Sequence, residues 1–527
     1  MRALGENRLS LQDPCMEGTR LHILQQIETE IERTDSHNVI WIRGSPGVGK
    51  SALAASLITR LKGRNRNVIW FRFDRTQSTT ITTEALWRVV ACGLAYRYPS
   101  LRQKLARGSR ELSSSNINHL FKTLIEEPLS TLHHDPHEEL PVIVIDALDE
   151  CGGLRHDSTG RKDYDALLYT LRRWAQQDHL KKFKLIITSR PEDHIIQTFP
   201  DSISTHVNIP SGKDVNPGDS TSNDIRAFLK SRLQNTNMGV AWVNKALDFL
   251  VPSAAGMFIW AATAADFLQE NTAIHFRILK TRKQEDNAER FKDLYSLYRT
   301  VIETSFQKAS NQEIKAIISV MGAMIFAKQP LDNNALIMLP GVRIPGSDLD
   351  MLKFIQKGLV SVIDSGPDPI LRFHHRSFED FLLSSFFRQH LPYLSGVQDR
   401  KLHERQLAVL CLNAMVSWKL HFNMCNLKSS NIKSADISDA DKSAISPLIS
   451  YSSQFWADHL VHTQCEEVSM KAVKLVMHEK LLFWIEVMSI LGKAHEVSAI
   501  LKRALEWPGL AVCPEFISYN TILRLAG

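Results

Sequence analysis

The sequence predicts an α/β fold over residues 36–212 and a largely helical region after it. Apolar, strand-like runs alternate with helical patterns through the first of these segments. The predicted strands are 38–43, 68–73, 142–145, 184–187 and 205–209. Such alternation favours a parallel sheet with helices on both faces. A Pro-, Gly- and Ser-rich stretch at 210–220 then indicates a domain boundary, after which helical periodicity dominates.

Five parts are predicted along the chain. Their bounds are an N-terminal segment with an amphipathic helix (1–35), the α/β core (36–212), a helical bundle (213–300), a winged helix (301–395) and an all-helical C-terminal region (396–527). The bundle is expected to open with a capping box from Thr221 to Asp224. The winged helix is predicted because strand-like runs at 359–363 and 370–373 form a hairpin among helices, with glycines and prolines at 341–369 around it.

Composition is that of a soluble globular protein, with 44% hydrophobic and 23% charged residues in 527. The net charge of +6 lacks any dense Lys/Arg run, so it argues only weakly for nucleic acid. Seven scattered cysteines form no C-x-x-C pair and indicate neither a disulfide framework nor a zinc site. No signal peptide or membrane-length apolar run is found, so we expect a reduced, cytoplasmic protein.

Residues 44–51 match the phosphate-binding pattern G-x-x-x-x-G-K-[ST] at every fixed position. The glycines let successive N–H groups point at one anion, and the following helix adds the positive end of its dipole. Lys50 supplies a charge for the β- and γ-phosphates, and Ser51 a hydroxyl for Mg²⁺. An ordinary glycine-rich turn is the alternative. We predict a nucleoside triphosphate site formed by Gly44, Pro46, Gly47, Val48, Gly49, Lys50, Ser51 and Ala52.

A second motif is the apolar strand 142–145, which ends in the carboxylates of Asp146, Asp149 and Glu150. One carboxylate at a strand tip can hold Mg²⁺ through its water shell, and another can orient an attacking water. Asp146 suits the metal. Glu150 and Asp149 are both candidates for the water, and we favour Glu150. The alternative is a strand followed by an acidic turn.

Two further groups of polar residues follow apolar segments. Arg190 ends the strand-like run that starts at Lys184, where its charge could sense the γ-phosphate; a surface arginine in a turn is the alternative. His374 and His375 precede a helix with Phe378 and Phe381 at core spacing. Without a second ligand pair, a core or phosphate-contacting histidine is favoured over a metal site.

Taken together, the motifs resemble the fungal branch of the NACHT family of STAND-class P-loop NTPases, the nephrocystin-like N-terminal domain proteins. The resemblance covers roughly residues 13–500 and rests on several segments at once. They are Cys-x-x-Gly-Thr-Arg at 15–20, Asp-Ala-Leu-Asp-Glu-Cys at 146–151, Thr-Ser-Arg-Pro-Glu at 188–192, Gly-x-Phe-x-Trp-Ala at 256–261 and His-x-Ser-Phe-x-Asp-Phe-Leu at 375–382.

This resemblance implies a switch in fungal immunity or incompatibility signalling. ADP would hold it closed, and exchange for ATP would open it for homo-oligomerisation. Hydrolysis would be slow and Mg²⁺-dependent, with ATP favoured over GTP. It assigns Thr19 and Arg20 to the base or ribose and His375 to the ADP phosphate. Protein partners are expected to bind the C-terminal helical region, and no association with a membrane is expected.

Departures from the family pattern leave alternatives open. Phe258 stands where related families place a proline against the adenine. Family members usually carry an effector domain before this region and repeats after it, so the chain is expected to be a fragment, an incomplete gene model or a regulator of full-length relatives. One rival function is a nucleic-acid-remodelling ATPase that grips duplex with the winged helix, although 331–338 carries no cation. The other is a non-hydrolysing scaffold, against which the intact Asp146 and Glu150 argue.

Overall fold

The computed structural model describes residues 13–74, 82–105, 116–132, 139–151, 158–216, 218–234, 238–285, 292–342, 351–364, 370–429, 432 and 434–511. The chain divides into two compact units, Met1–Leu297 and Tyr298–Gly527. The division into five parts stays a prediction, and the turn residues predicted at 366–369 lie outside the described residues.

The first unit contains a five-stranded parallel sheet in the order β2-β3-β4-β1-β5. The strands are β1 (Val39–Arg43), β2 (Val68–Arg72), β3 (Val142–Asp146), β4 (Leu185–Ser189) and β5 (Thr205–Asn208). All five were predicted within two residues at each end. The parallel register brings every carboxyl end to the same edge, where ligands bind in open sheets of this kind.

Helices cover both faces of this sheet, because successive side chains of each strand point to opposite sides. In β1, Val39 and Trp41 pack into one apolar cluster while Ile40 and Ile42 pack into the other. The first unit contains these helices in its described residues: α1 (Leu21–Glu32), α2 (Lys50–Gly63), α3 (Thr83–Arg97), α4 (Ile117–Phe121), α5 (Glu127–Ser130), α6 (Ser158–Gln176), α7 (Asp193–Thr198), α8 (Ser220–Leu233), α9 (Val240–Ala254), α10 (Phe258–Glu270) and α11 (Thr272–Glu285).

The capping box predicted at Thr221 is wrong. Helix α8 begins at Ser220, and its cap is Asp219, whose carboxylate accepts a hydrogen bond of 2.7 Å from the Ser222 amide. The Asp224 carboxylate instead accepts the backbone N–H of Arg20 at 3.0 Å. The Asp224 carboxylate, which the local spacing had assigned to the helix cap, thus bonds the backbone of Arg20, a residue far away in the sequence.

Helices make up most of the second unit. They are α12 (Lys292–Phe306, which begins before the division), α13 (Asn311–Phe326), α14 (Asn333–Ile337), α15 (Met351–Gly358), α16 (Arg376–Leu382), α17 (Ser385–His390), α18 (Arg400–Val416), α19 (Asp439–Lys442), α20 (Pro447–Leu460), α21 (Glu467–Leu475), α22 (Leu481–Ile490), α23 (Val497–Ala504) and α24 (Pro508–Ala511). In the described residues, no helix has the length and apolar character needed to cross a membrane.

The predicted hairpin is much shorter than expected. Its strands are β6 (Ile363–Asp364) and β7 (Arg372–Phe373), paired antiparallel. Residues 359–362 were predicted as strand, but the amides of Leu359 and Val362 donate to the carbonyls of Ile355 and Leu359 and hold the segment in turns. Helices α15 and α16 flank the hairpin, and its interpretation as a wing stays a prediction.

Candidate functional site

The loop between β1 and α2 has the backbone that an anion nest requires. Gly47 and Gly49 have φ of 75° and 92°, in the left-handed region that favours glycine. At Gly44 the constraint is space, since a Cβ there would lie 2.9 Å from the Val48 side chain. Helix α2 begins at Lys50, directly after Gly49, so its unpaired amides face the loop.

Lys50 closes the loop on itself. Its Nζ donates to the carbonyl oxygens of Gly44 at 3.0 Å and Ser45 at 3.1 Å. Burial lowers the pKa of this ammonium to about 8, while the charges of Asp149 and Asp146 act in the opposite direction. A phosphate at the loop would give the buried charge an anionic partner in place of two neutral carbonyls.

Asp146 lies at the tip of β3 and is almost fully buried. Its carboxylate accepts a hydrogen bond from the Thr188 hydroxyl, which in turn accepts the Ala147 amide at 2.9 Å. Burial raises the pKa of Asp146, and hydrogen bonds from Thr188 and Ser51 oppose the rise. Ser51 and Asp146 line the same cleft between α2, β2 and β3. A hydroxyl and a carboxylate so placed are oxygen ligands of the kind that Mg²⁺ takes beside substrate phosphates.

The remaining acidic residues differ in their partners. Asp149 accepts the Arg190 amide at 3.1 Å, and its other oxygen lies 3.2 Å from Arg190 Nε. Only 5% of the Asp149 side chain is exposed, so this pair is desolvated. Glu150 lies half-buried in the 3₁₀ turn Leu148–Glu150. Asp149 is thus paired with Arg190, and the choice of Glu150 as the carboxylate that orients water stays a prediction.

Arg20 makes contacts that the sequence did not indicate. Its buried guanidinium donates to the Val48 carbonyl at 3.0 Å and to the Thr221 hydroxyl at 3.1 Å. The same group lies 4.9 Å from the centroid of the Phe258 ring. Arg20 thus joins the phosphate loop to helices α8 and α10. Thr19 is also buried, with its hydroxyl bonded to the Met16 carbonyl at 2.7 Å. Their role at the base or ribose stays a prediction.

The segment around Gly256 contacts the phosphate loop as well. The Ile259 amide, at the start of α10, donates to the Gly47 carbonyl at 3.0 Å. Gly256 has a φ of 82°, and a Cβ there would lie 2.8 Å from the Pro210 carbonyl oxygen. The sequence predicted this helix, but periodicity alone could not show that its first turn touches the loop.

His375 lies in the second unit and caps a helix. Its Nδ1 accepts the Ser377 amide at 3.0 Å at the start of α16, and lies 2.7 Å from the Ser377 hydroxyl. That hydroxyl is 2.7 Å from the Tyr298 hydroxyl. The structure therefore gives His375 a local structural role, and its predicted phosphate contact remains a prediction.

Most of the α/β core is similar to a known protein family. Residues 18–190 match the family described as nephrocystin 3, N-terminal. The matched range contains the phosphate loop, the acidic motif at 146–151 and Arg190, whereas the motifs at 256–261 and 375–382 lie outside it.

A relative extends the similarity beyond residues 18–190. The chain is 24% identical over 515 residues to the vegetative incompatibility protein HET-E-1 of Podospora anserina, which covers 90% of this chain and 34% of the relative. The chain thus spans about a third of the length of this relative. The predicted resemblance to fungal NACHT-type P-loop NTPases is confirmed.

Solved structures show more distant similarity. A STAND ATPase with a tetratricopeptide repeat sensor from Pyrococcus horikoshii gives a TM-score of 0.37 at 16% identity, over 97% of this chain and 67% of that one. AMPPCP-bound DnaA from Aquifex aeolicus gives 0.29 at 13% identity, over 56% and 82%. Neither similarity is close enough to carry an inference about this chain.

Proposed function

We propose that this protein is a nucleotide-gated signalling switch that binds ATP and ADP and hydrolyses ATP slowly with Mg²⁺. The observation that carries the proposal is the single edge of the sheet that gathers the phosphate loop, Lys50, Ser51 and Asp146 with Arg190 and Glu150. The name of the relative from Podospora anserina supports an incompatibility-type signal. Oligomerisation in the ATP-bound state follows from the family resemblance.

Each residue has a distinct part in this proposal. The loop amides from Gly44 to Ala52 and the Lys50 ammonium hold the phosphates. Ser51 and Asp146 would hold Mg²⁺, which supplies charge neutralisation on the transferred phosphoryl group. Glu150 orients the water, and Arg190, already positioned by Asp149, stabilises charge that develops at the γ-phosphate.

The nucleic-acid alternative gains no support from the described residues. Helix α14, which would follow the first element of a winged helix, has Asp332 as its cap and no cation in Asn333–Ile337. Helices that bind a duplex place Lys or Arg side chains against the phosphate backbone of the nucleic acid. We therefore retain the signalling switch as the proposed function.

Nucleotide content and size of the purified protein test this proposal. We expect denatured protein to release ADP, and added Mg²⁺ with a slowly hydrolysed ATP analogue to shift the gel-filtration peak to a higher mass. Protein that carries no nucleotide, binds neither ATP nor ADP, and stays at one mass throughout would contradict the switch.

The ring of His375 provides a second, narrower test. A charged or polar phosphate contact contributes roughly 1.5–3 kcal/mol, which corresponds to about a ten- to hundredfold change in equilibrium. We expect His375→Leu to release ADP faster by about that factor, measured by stopped-flow chase of a fluorescent ADP analogue, and to form more oligomer with ATP.

Helix capping complicates the leucine variant, because it also removes an N-cap that typically contributes about 1 kcal/mol. His375→Asn is the matched control, since asparagine is a good N-cap but lacks the imidazole. Faster ADP release in both variants supports the phosphate contact. An ADP release rate within twofold of the parent in the asparagine variant would mean that His375 acts only as a cap.

A further inference from the structure

Arg72 is a charged residue of the site that the motifs do not assign. It ends strand β2, directly opposite Asp146 in the parallel register with β3. The amide of the next residue, Phe73, donates to the Asp146 carbonyl at 3.0 Å, so the two strands stay paired to this point. Backbone pairing therefore fixes the arginine beside the carboxylate predicted to serve the metal.

The guanidinium of Arg72 lies close to the Asp146 carboxylate, but its Nε does not form a hydrogen bond with that carboxylate. Its Nε lies 3.7 Å from Asp146 Oδ2, within ion-pair range but beyond hydrogen-bond distance. The Nε atom is buried and has no hydrogen-bond partner among the described residues. A buried donor without a partner is costly, so its place calls for an explanation.

The cleft beside Asp146 offers an explanation for the position of Arg72. Arg72, Ser51 and Asp146 line it together. Two positive charges beside a single carboxylate repel each other in a partly buried site, where charges are weakly screened. Any cation that approaches Asp146 and Ser51 must therefore weaken the attraction between Asp146 and Arg72.

We propose that Arg72 is a positioning residue that balances the charge of Asp146 in the metal-free protein and gives way when Mg²⁺ enters with the nucleotide. Arg72 thereby sets how much Mg²⁺ the site requires. The inference rests on the proposed function, because it assumes that nucleotide binds at this loop.

A Mg²⁺ titration of nucleotide binding tests the inference without any measurement of turnover. Fluorescent ADP analogue at a fixed concentration is added to parent and Arg72→Gln protein, and binding is followed from EDTA through rising MgCl₂. We expect the variant to reach half of its Mg²⁺-dependent gain at about 1.5- to fivefold less Mg²⁺, which corresponds to the free energy of a solvent-accessible ion pair. Affinity in EDTA should agree with the parent within twofold.

Arg66→Gln is a matched control just before the same strand. Arg66 lies before β2, at the opposite end from Arg72, and its Nε is likewise buried without a hydrogen-bond partner in the described part of the chain. Its Nη1 donates to Glu32 at 3.0 Å, away from Asp146. Arg66→Gln removes the same charge at a position away from Asp146. We therefore expect this variant to require as much Mg²⁺ as the parent.

The possible outcomes distinguish a failure of the proposed function from a failure of the role of Arg72. A parent protein that binds no analogue at any Mg²⁺ concentration overturns the proposed function itself. Binding with an unchanged or increased Mg²⁺ requirement in Arg72→Gln overturns the role of Arg72 alone. If the glutamine variant lacks the parent's circular dichroism spectrum, Arg72→Met, which keeps an unbranched apolar stem, is measured with the same expectation.

Discussion

Glu150→Gln should bind ATP as tightly as the parent and hydrolyse it about 10²–10⁴-fold more slowly, the usual effect of losing a positioned general base. Glu150 follows the buried tip of β3 and lies half-buried in a short 3₁₀ turn. Glutamine has nearly the same shape, so packing should be preserved while the carboxylate is lost. Phosphate release under saturating Mg²⁺–ATP measures the rate, and analogue titration measures binding.

Asp149→Asn is the informative comparison for this prediction. It replaces a neighbouring carboxylate that holds Arg190 through its amide and its Nε. We expect that variant to lose thermal stability as well as activity, because the largely buried side chain of Arg190 loses an ionised neighbour. Parent-like turnover in Glu150→Gln would move the water-orienting role to Asp149 or away from this acidic cluster.

Lys50→Ala should abolish detectable triphosphate binding while the protein stays folded. The lysine's Nζ donates to the loop carbonyls of Gly44 and Ser45, and each charged contact with phosphate contributes roughly 1.5–3 kcal/mol. Several such contacts to the β- and γ-phosphates are lost together. Lys62→Ala, an exposed lysine of the same helix, is the control and should bind like the parent.

The pH dependence of affinity gives the same residue a second signature. Lys50 has a pKa of about 8 in the free protein, and a bound phosphate favours its charged form, so the pKa must be higher in the complex. Affinity should therefore be flat below about pH 8 and fall by up to tenfold per pH unit above it. Equal analogue affinity for Lys50→Ala and the parent would overturn the assignment of the phosphate loop.

Those parts of the site that follow one another along the chain could be predicted from sequence. Strand β1, the loop and helix α2 form one continuous segment, and the apolar run at 142–145 places Asp146 at a strand end. Buried parallel strands are apolar on both faces, so their runs are long enough to recognise. Both features depend on neighbours only a few residues away.

What could not be predicted depends on contacts between distant residues. Arg20 reaches Thr221 and Asp224 across the fold, and no local pattern encodes that contact. The position of Arg72 opposite Asp146 depends on strand register, which an isolated sequence leaves open. The hairpin was predicted too long because Leu359, Val360 and Val362 have the composition of a strand, although the segment 359–362 forms turns.

Isothermal titration of Mg²⁺–ADP and Mg²⁺–ATP into nucleotide-stripped parent protein and Lys50→Ala is the decisive test of nucleotide binding at the phosphate loop. Binding at a single phosphate loop predicts about one nucleotide per parent chain and no measurable heat of binding for the variant, with both proteins giving the same circular dichroism spectrum. Parent protein that is folded but binds neither nucleotide, or a variant that binds both as tightly as the parent, would contradict it.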